Sequence, residues 1–311
     1  MNTLFKALFI WVCLAGCSRD EIQLEPEPEK PIGEFIDDWT YRIFPEAPYT
    51  NFDIAEFRMW VPQENTKLRG VLVLLTSYNG SALGLANSAE WRAYAEKERL
   101  AICGVNFKSI ENGGNYAQAS SGSGQALIDA IDQIATKHAI SQISKLPFLM
   151  RGYSAGGNFS YSFSSFLPEK VVGLVSIRGG QFETTTKNAA VPGLVLTGEL
   201  EGDQRSEYLK SIVLDKRNEG GLWSFAIEPD ATHFNDLRPS DKLSKVFFSS
   251  ILKKRGSENS EEFNLIPEDS GWLGNNTRTD IYTYSEYPGN KTSAFWLVDE
   301  DFAEAWLAYQ K

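Results

Sequence analysis

Apolar residues fall into short continuous runs along most of the chain, and polar or mixed stretches separate these runs. The run 70–75 (GVLVLL) has no polar residue to mark a solvent-facing side, which is typical of a strand covered on both faces. Between the runs, apolar residues recur at the three- and four-residue spacing of amphipathic helices. The predicted strands are 57–61, 70–75, 100–107, 147–150, 171–177, 193–196 and 222–227. The predicted helices are 88–99, 125–138, 158–166, 205–218 and 242–254.

Strands that alternate with helices predict an α/β fold with a mostly parallel central sheet and helices on both faces. The alternation covers a main domain over 34–255. Residues 256–311 differ from it, with ten aromatic residues and a helical pattern from Asp299 onward. We expect this aromatic-rich C-terminal extension to pack on the main domain. The alternative is that part of it borders the entrance to a functional site.

The first residues have the pattern of a targeting signal. Lys6 precedes an apolar run over 7–14 that is too short to span a bilayer. The run ends in Leu14-Ala15-Gly16-Cys17, which resembles the bacterial lipobox, whose cysteine becomes the lipidated first residue of the mature protein. The resemblance implies a signal peptide and lipobox over 1–17, with Cys17 as the site of lipidation.

A tether follows the lipobox. Residues 18–33 contain five acidic residues, two basic residues and three prolines, so they cannot bury apolar surface and are predicted to be extended. Asp20 and Glu21 resemble the surface-export signal of lipoproteins in the Bacteroidetes group. We therefore expect a lipid-anchored protein of the bacterial cell envelope, at the outer membrane, where it would be surface-exposed if that export signal is used.

Composition excludes several kinds of protein. The 311 residues are 42% hydrophobic, which suits an ordinary folded core, and the net charge of -11 argues against binding to nucleic acid. The chain has three cysteines, of which Cys103 lies in an apolar run and is predicted to be a buried, inert thiol. The two histidines, His138 and His233, are too few for a multi-histidine metal site. His138 is predicted to be exposed in the last turn of a helix.

The residues Gly152-Tyr153-Ser154-Ala155-Gly156 lie between a predicted strand and a predicted helix. A serine on so tight a turn has a strained backbone, and the residues two positions before and after it must lack side chains. The N-terminus of the following helix favours negative charge that develops beside the serine. The pattern resembles the nucleophile elbow of the α/β-hydrolases, and the chain from about 57 to 255 resembles that superfamily. Within that superfamily, the chain most resembles the secreted esterases that are similar to polyhydroxybutyrate depolymerases or feruloyl esterases.

The resemblance implies that an acid and then a histidine follow Ser154 along the chain. His233 is the one histidine after Ser154, and it follows the strand 222–227, where this fold places its base. The strand 193–196 is followed by three carboxylates. Glu201 lies three residues beyond Gly198, which is the spacing in many hydrolases, and it is the first choice for the acid. Asp203 is the alternative and Glu199 the third candidate.

The resemblance also implies an oxyanion hole made of two backbone N–H groups. One belongs to Ala155, the residue after the nucleophile, and the other to the loop after the strand 70–75. Many relatives have His-Gly in this loop, whereas this chain has Thr76-Ser77. By position the second donor is Tyr78, and the alternative is that Tyr78 only packs beside the site.

Together these features imply a serine carboxylic-ester hydrolase that works through an acyl-enzyme, with no metal and no cofactor. Its partner would be an ester substrate, and the surface-lipoprotein signal favours ester groups linked to polysaccharide. Two other classes stay open, because one fold hosts many activities. They are a serine peptidase of the same fold and a non-catalytic glycan-binding surface lipoprotein that uses the aromatic extension.

Overall fold

The computed structural model describes residues 33–37, 39–62, 67–110, 115–256 and 264–311. The lipobox with Cys17 and nearly all of the predicted tether lie outside the described residues. Within them, no helix is long and apolar enough to cross a membrane. Residues 32–311 form one compact unit.

A nine-stranded sheet runs through this unit, in the order β1-β2-β3-β5-β4-β6-β7-β8-β9. Its strands are β1 (Gly33–Asp37), β2 (Thr40–Ile43), β3 (Ile54–Trp60), β4 (Gly70–Leu75), β5 (Leu100–Lys108), β6 (Phe148–Tyr153), β7 (Val171–Ile177), β8 (Gly193–Gly198) and β9 (Trp223–Glu228). The helices are α1 (Ala89–Glu98), α2 (Ser123–Lys137), α3 (Gln142–Lys145), α4 (Ala155–Phe166), α5 (Asp203–Asn218), α6 (Arg238–Arg255) and α7 (Glu300–Tyr309). Strands β4 to β9 pair parallel with one another, whereas β1, β2 and β3 pair antiparallel with one another and β3 pairs antiparallel with β5. The predicted fold class is confirmed.

The continuous apolar runs form the centre of the sheet. Every residue of β4, β6, β7 and β8 is buried, as expected for parallel strands covered by helices on both faces. Because these strands are parallel, the loops after Leu75, Tyr153, Ile177, Gly198 and Glu228 emerge at the same edge of the sheet. Ligands of open α/β sheets bind at this carboxyl edge.

The antiparallel edge was not predicted in full. Gly33 was assigned to the tether, but it begins β1, and neither β1 nor β2 was predicted. These strands are short and contain charged residues such as Glu34 and Arg42, so they lack the apolar run that marks a central strand. Helix α4 begins at Ala155, whereas the sequence predicted a start at 158. The prediction was late because Gly156 and Gly157 are typical of loops, yet they form part of the first helical turn.

The C-terminal extension adds strands β10 (Trp272–Gly274), β11 (Ile281–Thr283) and β12 (Phe295–Leu297), which form a separate three-stranded sheet. Helix α7 begins where the Asp299 carboxylate accepts the N–H of Phe302, at 3.0 Å. The extension packs on β9, since Trp306 is fully buried and its indole N–H donates to the carbonyl of Phe225 at 2.8 Å. The three short strands were not predicted because runs of three residues give no readable period.

A buried arginine joins the extension to α5. Arg217 is fully buried and its guanidinium donates to the carbonyls of Ala294 (2.9 Å) and Lys291 (3.1 Å) and to the Glu268 carboxylate (2.7 Å). It also donates to the carbonyl of Gly221. All of these acceptors would lose their donor if the arginine were removed.

We expect Arg217→Met to lower the free energy of unfolding by about 3 kcal/mol, because it leaves a carboxylate and buried carbonyls unpaired. Urea denaturation followed by circular dichroism measures this loss. The control is Arg238→Met, which removes an arginine whose side chain is 83% exposed and should change the free energy by less than about 1 kcal/mol. Equal losses in the two variants would contradict the proposed importance of the buried contacts.

Candidate active site

The serine of the Gly-x-Ser-x-Gly pattern lies at the sharp turn between β6 and α4. Its backbone is at φ 55° and ψ -120°, a conformation that a residue with a side chain rarely adopts. The N–H of Ser154 donates to the carbonyl of Ile177 at 2.8 Å, which ties the turn to β7. A Cβ atom at Gly152 would lie 2.0 Å from the carbonyl oxygen of Gly156, so the turn cannot form with a side chain there. The sequence pattern thus reflects a steric requirement of the turn.

His233 reaches the serine from the loop after β9. Its Nε2 lies 3.0 Å from Ser154 Oγ, and its Nδ1 lies 2.7 Å from Glu201 Oε1. The Glu201 side chain is 4% exposed, whereas that of His233 is 29% exposed and faces the pocket. Serine, imidazole and carboxylate therefore form a continuous hydrogen-bonded chain.

Glu201 is the carboxylate that contacts the histidine. Its Oε2 accepts the Thr197 hydroxyl at 2.9 Å and the Gly198 N–H at 3.0 Å. Burial alone would raise the pKa of Glu201, but the Gly198 N–H, His233, Arg205 and Thr197 outweigh burial and hold the pKa below its ordinary value. The carboxylate is therefore ionised at neutral pH.

The two other candidate carboxylates are placed differently. Asp203 is exposed at the first position of α5, whereas Nδ1 of the imidazole is paired with Glu201. Glu199 is also exposed, and its carboxylate accepts the N–H of Asp230 at 3.0 Å. Of the three acids that the sequence left open, the structure brings Glu201 to His233.

Both residues predicted to form the oxyanion hole border the same pocket as Ser154. Ala155 is the first residue of α4, so its N–H has no acceptor within the helix. The Thr76 carbonyl accepts the N–H of Gly156 at 2.9 Å, which holds the loop after β4 against the turn and brings Tyr78 to the pocket. The ring of Tyr78 is 60% exposed and lies parallel to that of Tyr116.

The pocket above Ser154 has a volume of about 440 Å³, and polar and apolar surface contribute to its lining in similar amounts. Its polar lining consists of Tyr78, Ser109, Asn115, Ser154, Asn158, Arg178, Gln181, Arg205 and His233. A second cavity of about 290 Å³ shares Asn115, Ala117 and Gln181 with it and continues to Gln118 and Glu183. Among the described residues, none that lines either cavity belongs to the C-terminal extension.

Two residues that the sequence analysis missed hold the histidine loop. The Tyr153 hydroxyl donates to the carbonyl of His233 at 2.8 Å, and Arg178 Nη1 donates to the same carbonyl at 3.1 Å. Arg178 is buried and its Nη2 donates to Glu228 Oε2 at 2.8 Å. Tyr153 could have been noticed as the central residue of the Gly-x-Ser pattern. No sequence signal marked Arg178, whose partners lie 50 and 55 positions away.

Comparison with solved structures shows the same architecture in other proteins. An S-formylglutathione hydrolase from Agrobacterium tumefaciens superposes with a TM-score of 0.51 at 11% sequence identity, over 70% of this chain and 95% of that chain. The chain has the α/β-hydrolase fold. The sequence matches no protein-family model and no curated protein.

Two further α/β-hydrolase neighbours match with lower scores. The poly(3-hydroxybutyrate) depolymerase LpqC from Bordetella parapertussis has a TM-score of 0.47 at 15% identity, over 63% of this chain and 85% of that chain. A thermostable esterase has a TM-score of 0.44 at 16% identity, and the match covers 57% of this chain and only about half, 51%, of that chain. At such identities the likeness concerns the fold.

Two other residues that the sequence analysis considered, Cys103 and His138, do not line the pocket at Ser154. Cys103 is buried as predicted, and burial raises the pKa of its thiol to about 12. His138 was predicted to be exposed, but it is half-buried because its ring stacks on Trp39 with centroids 3.8 Å apart. Among the described residues, no group of three or more His, Cys, Asp or Glu side chains could hold a metal ion.

We expect Ser154 to react with a fluorophosphonate, because the imidazole beside its Oγ can accept the hydroxyl proton. Mass spectrometry should find the added mass on the peptide that contains Ser154. His233→Ala should remove the labelling while the circular dichroism spectrum is unchanged. Labelling spread over the other serines, or retained in His233→Ala, would show that the imidazole does not activate Ser154.

Proposed function

We propose that the protein is a serine hydrolase that cleaves carboxylic esters, with Ser154 as nucleophile, His233 as base and Glu201 as the acid. The observation that carries this proposal is the hydrogen-bonded chain from Ser154 Oγ through His233 to Glu201, with distances of 3.0 and 2.7 Å. A buried, ionised carboxylate on Nδ1 fixes the tautomer that leaves Nε2 free to accept a proton. The α/β-hydrolase fold supports the proposal, since it supplies the turn that presents the serine.

In the proposed mechanism, Ser154 Oγ attacks the ester carbonyl carbon while its proton passes to His233 Nε2. The backbone N–H groups of Ala155 and Tyr78 would stabilise the oxyanion, and Glu201 would stabilise the imidazolium. His233 then gives the proton to the departing alcohol, which leaves an acyl-enzyme. Water, deprotonated by the same histidine, attacks the acyl carbon and releases the acid and free Ser154.

The pocket lining supports a polar substrate with a short acyl group. Among the described residues, amide, hydroxyl and charged side chains form much of the lining, and the apolar side chains are Ala117, Ala155 and the ring of Tyr78. A long acyl chain would therefore meet no large aliphatic side chain of the described lining to pack against. The adjoining cavity toward Gln118 combines amide side chains with the aromatic side chains of Tyr161 and Phe182, a lining that suits a sugar as the alcohol part, so we propose ester groups on polysaccharide as the substrate.

The lining also bears on the peptidase alternative. Among the described residues, none that lines the pocket at Ser154 is Asp or Glu, so a free α-amino group there would find no carboxylate, and Glu183 lines only the adjoining cavity. The two arginines of the lining, Arg178 and Arg205, are already paired with Glu228 and Glu201. An ester substrate therefore fits the site better than a peptide terminus.

A panel of p-nitrophenyl esters from acetyl to decanoyl, with acetylated and feruloylated oligosaccharides, tests the function. We expect hydrolysis with kcat/KM highest for short acyl groups. Glu201→Gln should lower kcat on the order of 10⁴-fold, because the orienting acid is lost, whereas Asp203→Asn should have little effect. Ser154→Ala is the inactive control.

Three outcomes would contradict the proposal in different ways. If Asp203→Asn is the crippled variant, the acid has been assigned wrongly. If kcat/KM rises steadily with acyl length, the short-acyl assignment is wrong. Folded protein that neither reacts at Ser154 nor hydrolyses any ester would falsify the enzyme and favour a glycan-binding lipoprotein.

We also propose that lipidation of Cys17 anchors the enzyme in the bacterial cell envelope, at the outer membrane. The lipobox residues at 14–17 and the acidic segment that follows them support this proposal. Cys17→Ser should abolish incorporation of labelled palmitate and move the protein from the membrane fraction to the soluble fraction, because the acyl chains are its anchor. Membrane association that persists without acyl label in the variant would show that another feature holds the protein there.

A further inference from the structure

The Glu201 carboxylate is shared between the histidine and a second cationic group. Its Oε1 lies 2.7 Å from His233 Nδ1 and 3.2 Å from Arg205 Nε. The other oxygen is occupied by the Thr197 hydroxyl and the Gly198 N–H. A single carboxylate oxygen thus faces both the proposed base and a permanent positive charge.

Arg205 is held in place by more than this ion pair. Its Nη2 donates to the carbonyl of Arg178 at 2.8 Å and also to that of Gly179. A Cβ atom at Gly180 would lie 2.7 to 2.8 Å from the guanidinium atoms, so a glycine there leaves the room that the group needs. The guanidinium is therefore fixed between the turn after β7 and Glu201.

The position of Arg205 is unfavourable for the helix that carries it. It lies in the first turn of α5 (Asp203–Asn218), where the helix dipole disfavours a cation. The stability of α5 therefore does not explain why an arginine occupies this position. The ion pair with Glu201 and the two hydrogen bonds to carbonyls explain it.

Other charged groups around the pair come from several elements. Arg178, from the turn after β7, is paired with Glu228 of β9, and Tyr153 of β6 contributes a hydroxyl to the His233 carbonyl. Glu199 lies on the same turn as Glu201 and accepts from the backbone of Asp230, on the loop of the histidine. Asp236, on that loop too, is paired with Arg238. Arg205 is thus the cation in direct contact with the acid.

We propose that Arg205 is a positioning residue that keeps Glu201 ionised and opposes uptake of a proton by the Glu201–His233 pair. A positive charge on the shared oxygen makes a second positive charge, the imidazolium, less favourable. The resting histidine would then remain an available base at lower pH than it would without the arginine. This inference rests on the proposed function. It means that Arg205 lowers the pH above which the site becomes active.

The kinetic test is the pH profile of kcat/KM for a short-chain ester. In Arg205→Met the acid limb should move to higher pH by about half to one unit, a shift discounted for the partial exposure of the arginine. At a pH well down the limb, a full unit corresponds to about tenfold lower kcat/KM. Arg205→Lys keeps the charge and should restore most of the profile. Lys210→Met, which removes a cation from the same helix, should leave the limb in place.

A second measurement does not depend on activity. The chain has two histidines, so ¹H–¹⁵N spectra of the imidazoles can be followed with pH in a Ser154→Ala background. Arg205→Met should raise the protonation midpoint of His233 and leave that of His138 unchanged, because His138 stacks on Trp39 outside the pocket. A folded Arg205→Met variant whose His233 midpoint and acid limb both stay in place would overturn the inference. Failure of every ester to react, with the midpoint still displaced, would instead count against the proposed function alone.

Discussion

The backbone of Ser154 is held in a conformation that serine does not adopt by preference, and the geometry of the whole site depends on this constraint. Parallel pairing of β6 with β4 and β7 fixes the strand before the turn, and the N–H of Ser154 is bound to Ile177. On the other side, the N–H of Gly156 is bound to Thr76. Sheet hydrogen bonds and close backbone packing thus offset the local strain and present the serine hydroxyl above the carboxyl edge of the sheet.

The residues around the serine are positioned through backbone carbonyls. Tyr153 and Arg178 both donate to the carbonyl of His233, so the loop is fixed at the residue whose ring faces Ser154. Glu228 Oε2 accepts Arg178, Ser240 and Tyr309, at 2.8, 3.0 and 3.0 Å. Tyr309 belongs to α7, so the C-terminal extension supports the histidine loop through Glu228, and none of the extension's described residues lines the pocket.

Two buried charges in this structure, Glu201 and Arg217, are satisfied by several partners each, which is the condition under which burial of a charge is tolerated. Glu201 has four donors or cations around its two oxygens, and Arg217 has four acceptors. The two clusters have different consequences. That of Arg217 joins the extension to the main domain, whereas that of Glu201 presents one oxygen to both the proposed base and Arg205.

The sequence by itself determined the central strands, the helices other than the short α3, and the turn at Ser154, because each depends on a local pattern of apolar residues or on the steric need for glycine at 152 and 156. It also pointed to His233, since no other histidine follows the serine. The tertiary structure alone decided which of three nearby carboxylates meets the imidazole, and it alone revealed β1, β2 and the roles of Tyr153, Arg178 and Arg205. These depend on contacts between residues distant in sequence, such as Glu201 with His233, 32 positions apart. A local sequence pattern cannot predict such contacts, because they depend on how the strands pair and on where the loops leave the sheet.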